Sequence, residues 1–158
     1  MAKAAKVSGV TGATNFKVAI GRIIETRFDE MLRHKSRTIL GRDPEALHDM
    51  RVASRRLRAA MDVAVTCFPR KYGYFHRTVK ELTDVLGGVR DYDVMRAALT
   101  DYRQSRPEPE RVTINRILQA QRQERDANRA ALIAFFEHLD DERFDVRFRG
   151  FLAEHTHG

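Results

Sequence analysis

Apolar residues recur at spacings of three and four along nearly the whole of this 158-residue chain. That repeat places side chains on one face of an α-helix. No stretch alternates apolar and polar residues through β-branched positions, and the "NG" and "DG" pairs that start hairpins are absent. The pattern therefore excludes a sheet and predicts an all-α protein, an antiparallel bundle of about five to six helices. The length fits one domain and suffices for a helical core without disulfides or metal.

Capping residues set the expected boundaries. Asn15 is a candidate N-cap for a first helix that carries Phe16, Ile20, Ile23, Ile24, Phe28, Met31 and Leu32 and ends near Leu40-Gly41. In "GRDPEALHDM" Asp43 is the N-cap, Pro44 takes the first helical position and Glu45 suits the positive end of the dipole. This second helix should run to about Phe68. A third is expected over 72–86, stopping at Gly87-Gly88, and a fourth from about Asp91 to the prolines of "SRPEPE". A long fifth should span 110–138, and a short last helix should start in "LDDERFDVRF", capped by Asp140 or Asp141. Residues 1–15 read as a disordered lead-in to a helical domain over 16–155.

The single cysteine, Cys67, rules out a disulfide within the chain and argues against a structural zinc site. A reducing, cytoplasmic location is the default expectation. No apolar run approaches the roughly 18 residues that would span a bilayer, and the N-terminus lacks the apolar stretch of a secretory signal.

The excess charge is one-sided. Residues 1–90 hold 18 basic and 9 acidic residues, a net of 18 − 9 = +9, and residues 91–158 hold 11 and 13, a net of 11 − 13 = −2. Much of the excess falls in "HDMRVASRRLRAAMD", from His48 to Asp62. With His48 at 0° and about 100° per residue, Arg51, Arg55 and Arg58 fall between roughly 280° and 340°. Met50, Leu57, Met61, Ala64 and Phe68 gather at roughly 160–220° on the opposite side. Arg56 lies off the stripe.

A basic helix face is ordinarily solvated and paired with carboxylates. Here only Asp62, four residues after Arg58, stands on the stripe to pair, so a cationic row is left over. Its arginines suit forked hydrogen bonds to phosphate oxygens. His48 is either a surface or packing residue or a donor to the same anion.

Other chemistry is missing. There is no Gly-rich phosphate loop and no His/Asp/Glu set with zinc spacing; neither a metal nor a cofactor is expected. Asp91 and Asp93 sit at an expected helix start and read as caps and ion-pair partners. Aromatic residues are too few for a base-stacking platform.

"HDMRVASRRLRAAMDV", followed about thirty residues on by "KELTDVLGGVRDYDVM", resembles the signature of the CHAD family, the conserved histidine α-helical domain. The first part of that signature falls on His48, Arg51, Val52, Arg55, Arg56, Leu57 and Arg58. The second falls on Lys80, Leu82, Leu86, Gly87, Arg90, Asp91, Asp93 and Val94. The resemblance implies a helical module that binds inorganic polyphosphate through a basic channel, associates with polyphosphate granules and is not itself catalytic. Carried over by position, His48, Arg51, Arg55, Arg58, Lys80 and Arg90 would face the polymer. Arg56 is within the motif but off the stripe, and Asp91 and Asp93 would orient or cap.

The usual domain of this family has two similar helical halves, and this chain matches one. The expectation is a truncated piece or a homodimer that rebuilds the whole by twofold symmetry. The fifth helix, with Ile114, Ile117, Leu118, Ala131, Leu132 and Phe135, would form the contact. Nucleic-acid binding is the alternative from a different class, since DNA and RNA also present regular phosphates. A phosphohydrolase, or an accessory domain to one, is another, although it would need a metal cluster or an activated nucleophile. Membrane-surface binding is the weakest, for want of a large exposed apolar face on the basic helix.

Overall fold

The computed structural model describes residues 3–156, and among them it contains six helices and no strand. They are α1 (Phe16–Leu32), α2 (Lys35–Leu40), α3 (Pro44–Val63), α4 (Tyr72–Gln104), α5 (Glu108–Asp141) and α6 (Phe144–Thr156). The fold is an all-α bundle. α1 packs on α3, α3 on α4 and α4 on α5, while α6 returns against α1 and α5.

Local signals hold where the chemistry is local. Asn15 accepts a hydrogen bond from the Lys17 N–H at 2.9 Å, and Asp43 accepts one from the Glu45 N–H at 2.9 Å. Gly41 ends α2 at φ 69°, a left-handed conformation that favours glycine. Other boundaries differ. The expected first helix is two, α1 and α2, separated at Arg33-His34. α3 stops at Val63, and turns carry the chain on to Phe68. Asp140 and Asp141 close α5 instead of capping α6; Arg143, at φ 50°, makes the break.

The largest correction concerns Gly87-Gly88. α4 passes straight through the pair, so the expected third and fourth helices are one. Two glycines within a helix cost about 1 kcal/mol each relative to alanine, yet both lie where neighbouring helices pack against α4. A Cβ at Gly87 would lie 3.5 Å from Arg51 Nε, and one at Gly88 would lie 3.4 Å from Asn128 Oδ1. α3 and α5 thus lean on α4 at neighbouring points on its surface. Asp91 and Asp93 are consequently interior to a helix and cap nothing.

One apolar core joins the elements: Ile20, Ile24 and Phe28 of α1, Met50, Leu57 and Met61 of α3, Phe75, Val79, Leu82 and Leu86 of α4, Leu132 and Phe136 of α5. α6 enters it as an aromatic wedge. Phe148 meets Phe28 edge-on at 5.1 Å and Phe75 at 5.0 Å, and Phe151 reaches Phe75 at 5.2 Å. Such pairs contribute about 0.5–1.5 kcal/mol each beyond burial of their area.

Residues 3–15 form no helix, but the expected disordered lead-in is tied to α1 by two arginines. Arg27 donates to the Ala5 carbonyl at 2.9 Å, and Arg22 donates to that of Gly9. Between Val89 and Leu132 the chain buries a single residue, Ile114. The outer halves of α4 and α5 therefore form a two-helix arm with little core of its own.

Candidate functional site

α3 and α4 run antiparallel, and their polar faces leave an open cleft of about 640 Å³. α3 supplies Arg51, Arg55, Ala59, Arg58 and Asp62 to it; α4 supplies Thr83, Asp84, Gly87, Gly88 and Asp91. The arginines line one wall because Met50, Leu57 and Met61 hold the opposite face of α3 in the core. This is the two-sided helix that the angular pattern describes.

The second wall changes the charge balance. Arg51 Nη2 lies 3.8 Å from Asp91 Oδ1, and Arg58 Nη1 lies 3.6 Å from Asp84 Oδ1. Both contacts are too long for good hydrogen bonds, and both carboxylates are well exposed, at 73% and 62%. Pairs of this kind contribute about 0–1 kcal/mol. The row expected to be unneutralised therefore has loose counter-ions from α4. Asp62 is not the partner of Arg58, because His76 holds it at 2.6 Å. Arg55 is exposed and has no ion-pair or hydrogen-bond partner among the described residues. The Arg51 Nε is buried and unbonded beside Gly87.

The other sequence-derived residues divide. Lys80 is exposed one turn before Asp84 on the same stripe of α4. Arg90 stands apart, in a second groove of about 750 Å³ lined by Pro44, Glu45, Asp93, Ala97, Thr100 and Arg125. Asp93 is spoken for there by the guanidinium of Arg125.

Arg56 lies away from the cleft altogether. It donates to Glu30 of α1 at 2.6 Å, and Arg27 donates to the same carboxylate at 2.7 Å. Burial pushes the Glu30 carboxyl up, but the two guanidiniums and the Ala5 N–H outweigh it and hold the group below the usual glutamate range. Arg56 thus belongs to a structural ion-pair network, as its angle off the stripe suggests.

His48 is half-buried, one turn before Arg51, with Nδ1 buried and unbonded. It does not line the cleft. Glu45, His48 and Asp49 instead bring ligand atoms within 4.8 Å of one another, a grouping that follows from their i, i+3, i+4 spacing and differs from the spacings of a structural zinc site. Exposed acidic groups of this sort are common without an ion.

Sequence reasoning also passes over Asp84, the counter-ion of Arg58. The available signal is the spacing Lys80, Asp84, Gly87, Asp91, which marks one stripe of α4. Of the residues proposed for a contact on the fifth helix, Ile114 and Leu132 are buried within the chain, Leu118 and Phe135 are half-buried, and Ile117 and Ala131 are exposed. Five exposed large apolar residues lie on the arm, Val94, Met95, Tyr102, Val112 and Ile117, each 43–54% exposed, and others, among them Phe16, Leu40 and Val63, lie elsewhere. No helix among the described residues is long and apolar enough to cross a membrane.

A family model described as the CHAD domain matches residues 22–158. No curated protein and no solved structure matches the chain.

Proposed function

The chain belongs to the CHAD-domain family, and from that premise we propose that it binds inorganic polyphosphate without turning it over. The observation that carries the reading is the α3–α4 cleft. Arg51, Arg55 and Arg58 stand in a row on one wall, one of them without a partner and two held only by long, exposed contacts. A chain of phosphates replaces weak carboxylate contacts with charge-assisted, forked ones. Lys80 extends the row. Arg56 serves the fold, and its loss acts through stability. Attachment to polyphosphate granules follows from the binding.

Calorimetric titration of polyphosphate into Arg51→Ala, Arg55→Ala and Arg58→Ala tests this. Each should lose about 1.5–3 kcal/mol of binding energy with the melting temperature little changed. Unchanged affinity in all three would rule out this face. Nucleic acid is the competing ligand: DNA that displaces polyphosphate at matched salt would transfer the assignment to it. Phosphate release from polyphosphate with magnesium, lost in Arg55→Ala, would overturn the non-catalytic reading.

We further propose that two copies pair through the arm. Its exposed Val94, Met95, Tyr102, Val112 and Ile117 offer apolar area that a second copy could cover. Sedimentation should give a dimeric mass for the wild type and a monomeric mass for Met95→Glu/Ile117→Glu. A wild-type monomer with full polyphosphate affinity makes one cleft sufficient.

A further inference from the structure

We propose that the anion track continues past the arginine row toward the α3–α4 connection, with Arg77 as a further contact residue, so that the site favours long chains. This inference rests on the polyphosphate reading above. On α4, Arg77, Lys80, Asp84, Gly87 and Asp91 follow one another at steps of three, four, three and four, which puts them on one stripe. The last three line the cleft. Lys80 and Arg77 therefore continue the same wall beyond it. Both are exposed, and neither has an ion-pair or hydrogen-bond partner among the described residues.

The opposing charges on this stretch are few. α3 ends at Val63, and its last carboxylate, Asp62, is held by His76. Glu81 flanks the stripe about 40° from Arg77. The other end of the wall is different in kind. Past Asp91 the stripe carries Val94, Ala98 and Tyr102, with Val94 and Tyr102 54% and 50% exposed. A polyanion gains nothing there, so the track has one direction. Arg51 to Arg58 covers about 10 Å along the helix, the reach of a short oligophosphate. Arg77 is seven residues beyond Asp84, about another 10 Å, and only a longer chain engages both.

The test is titration of tripolyphosphate and of long-chain polyphosphate into wild type, Arg77→Ala and Arg77→Lys. For Arg77→Ala, long-chain affinity should fall about five- to tenfold and the salt slope should drop by about one, as for a lost phosphate contact on DNA. Tripolyphosphate affinity should stay within about twofold, since one exposed charge outside its reach is removed. Arg77→Lys should restore most of the long-chain loss. Equal losses on both ligands, or none on either, would overturn the extension. Arg55→Ala separates the two readings, because it should weaken both ligands whether or not Arg77 contributes. Wild-type protein that binds neither ligand would overturn the polyphosphate reading itself, and this inference with it.

Discussion

The two halves of α4 are built on the same stripe from opposite materials. In the inner half the stripe is Phe75, Val79, Leu82, Leu86 and Val89, all buried. In the outer half the same steps of three and four bring Arg90, Asp93, Ala97, Thr100 and Gln104, which line an open groove. The inner half is held by apolar burial. The outer half is held by polar contacts, Arg125 to Asp93 and Arg103 Nε to Asn115 at 2.7 Å. Hydrogen bonds and ion pairs exchanged with water contribute little net energy. One long helix therefore joins a half held by the core to an arm with low local stability, and such elements are the ones that open first.

Truncation tests the contrast most severely. Phe75→Ala should cost about 3–5 kcal/mol, the usual range for an enclosed phenylalanine, whereas truncating an exposed polar residue of the arm, Thr100→Ala, should stay within about 0.5 kcal/mol. Urea denaturation measures both, and comparable losses would break the distinction.

Acid sharpens it. Glu30, buried on α1 in the core-bearing part of the bundle, has its carboxyl held below the usual glutamate range, because two guanidiniums and a backbone N–H outweigh the effect of burial. A depressed carboxyl contributes stability that is present above the pH at which the unfolded glutamate titrates, and that is lost as the pH falls through the lower folded value. Stability followed by denaturation from neutral to acid pH should decline across that window in the wild type. The component should be missing in Glu30→Gln, which should also be less stable near neutrality because Arg27 and Arg56 lose their charged partner. Parallel profiles for the two proteins would remove Glu30 from the account.

The smallest effect is expected at the junction of the halves. Gly87→Ala places a Cβ 3.5 Å from Arg51 Nε, an ordinary contact, and removes the entropy cost of glycine in a helix. It should stabilise by up to about 1 kcal/mol. A clear loss in thermal melting would mean that α4 needs glycine there to bend.

Much of this was readable from the residues alone. Asn15 and Asp43 cap the helices they were expected to cap. The face of α3 that carries Arg51, Arg55 and Arg58 is the face that the 100° step predicts, and the same step sets Arg56 aside. The two-part motif identifies the family. Each of these rests on chemistry confined to a turn or two of helix, where neighbours in sequence are neighbours in space.

What the residues alone leave open lies between helices. Gly87-Gly88 reads as a stop, because glycine is a poor helix former, until packing beside Arg51 of α3 and Asn128 of α5 carries α4 through the pair. Arg58 reads as the partner of Asp62, four residues on, until packing delivers Asp84 to the arginine and His76 to the aspartate. Asp93 reads as a cap until Arg125 arrives from 32 residues away. The partner of a long, charged side chain depends on the relative register of two packed helices. That register is set by how the apolar stripes of both interlock, and it exists only once the core has formed.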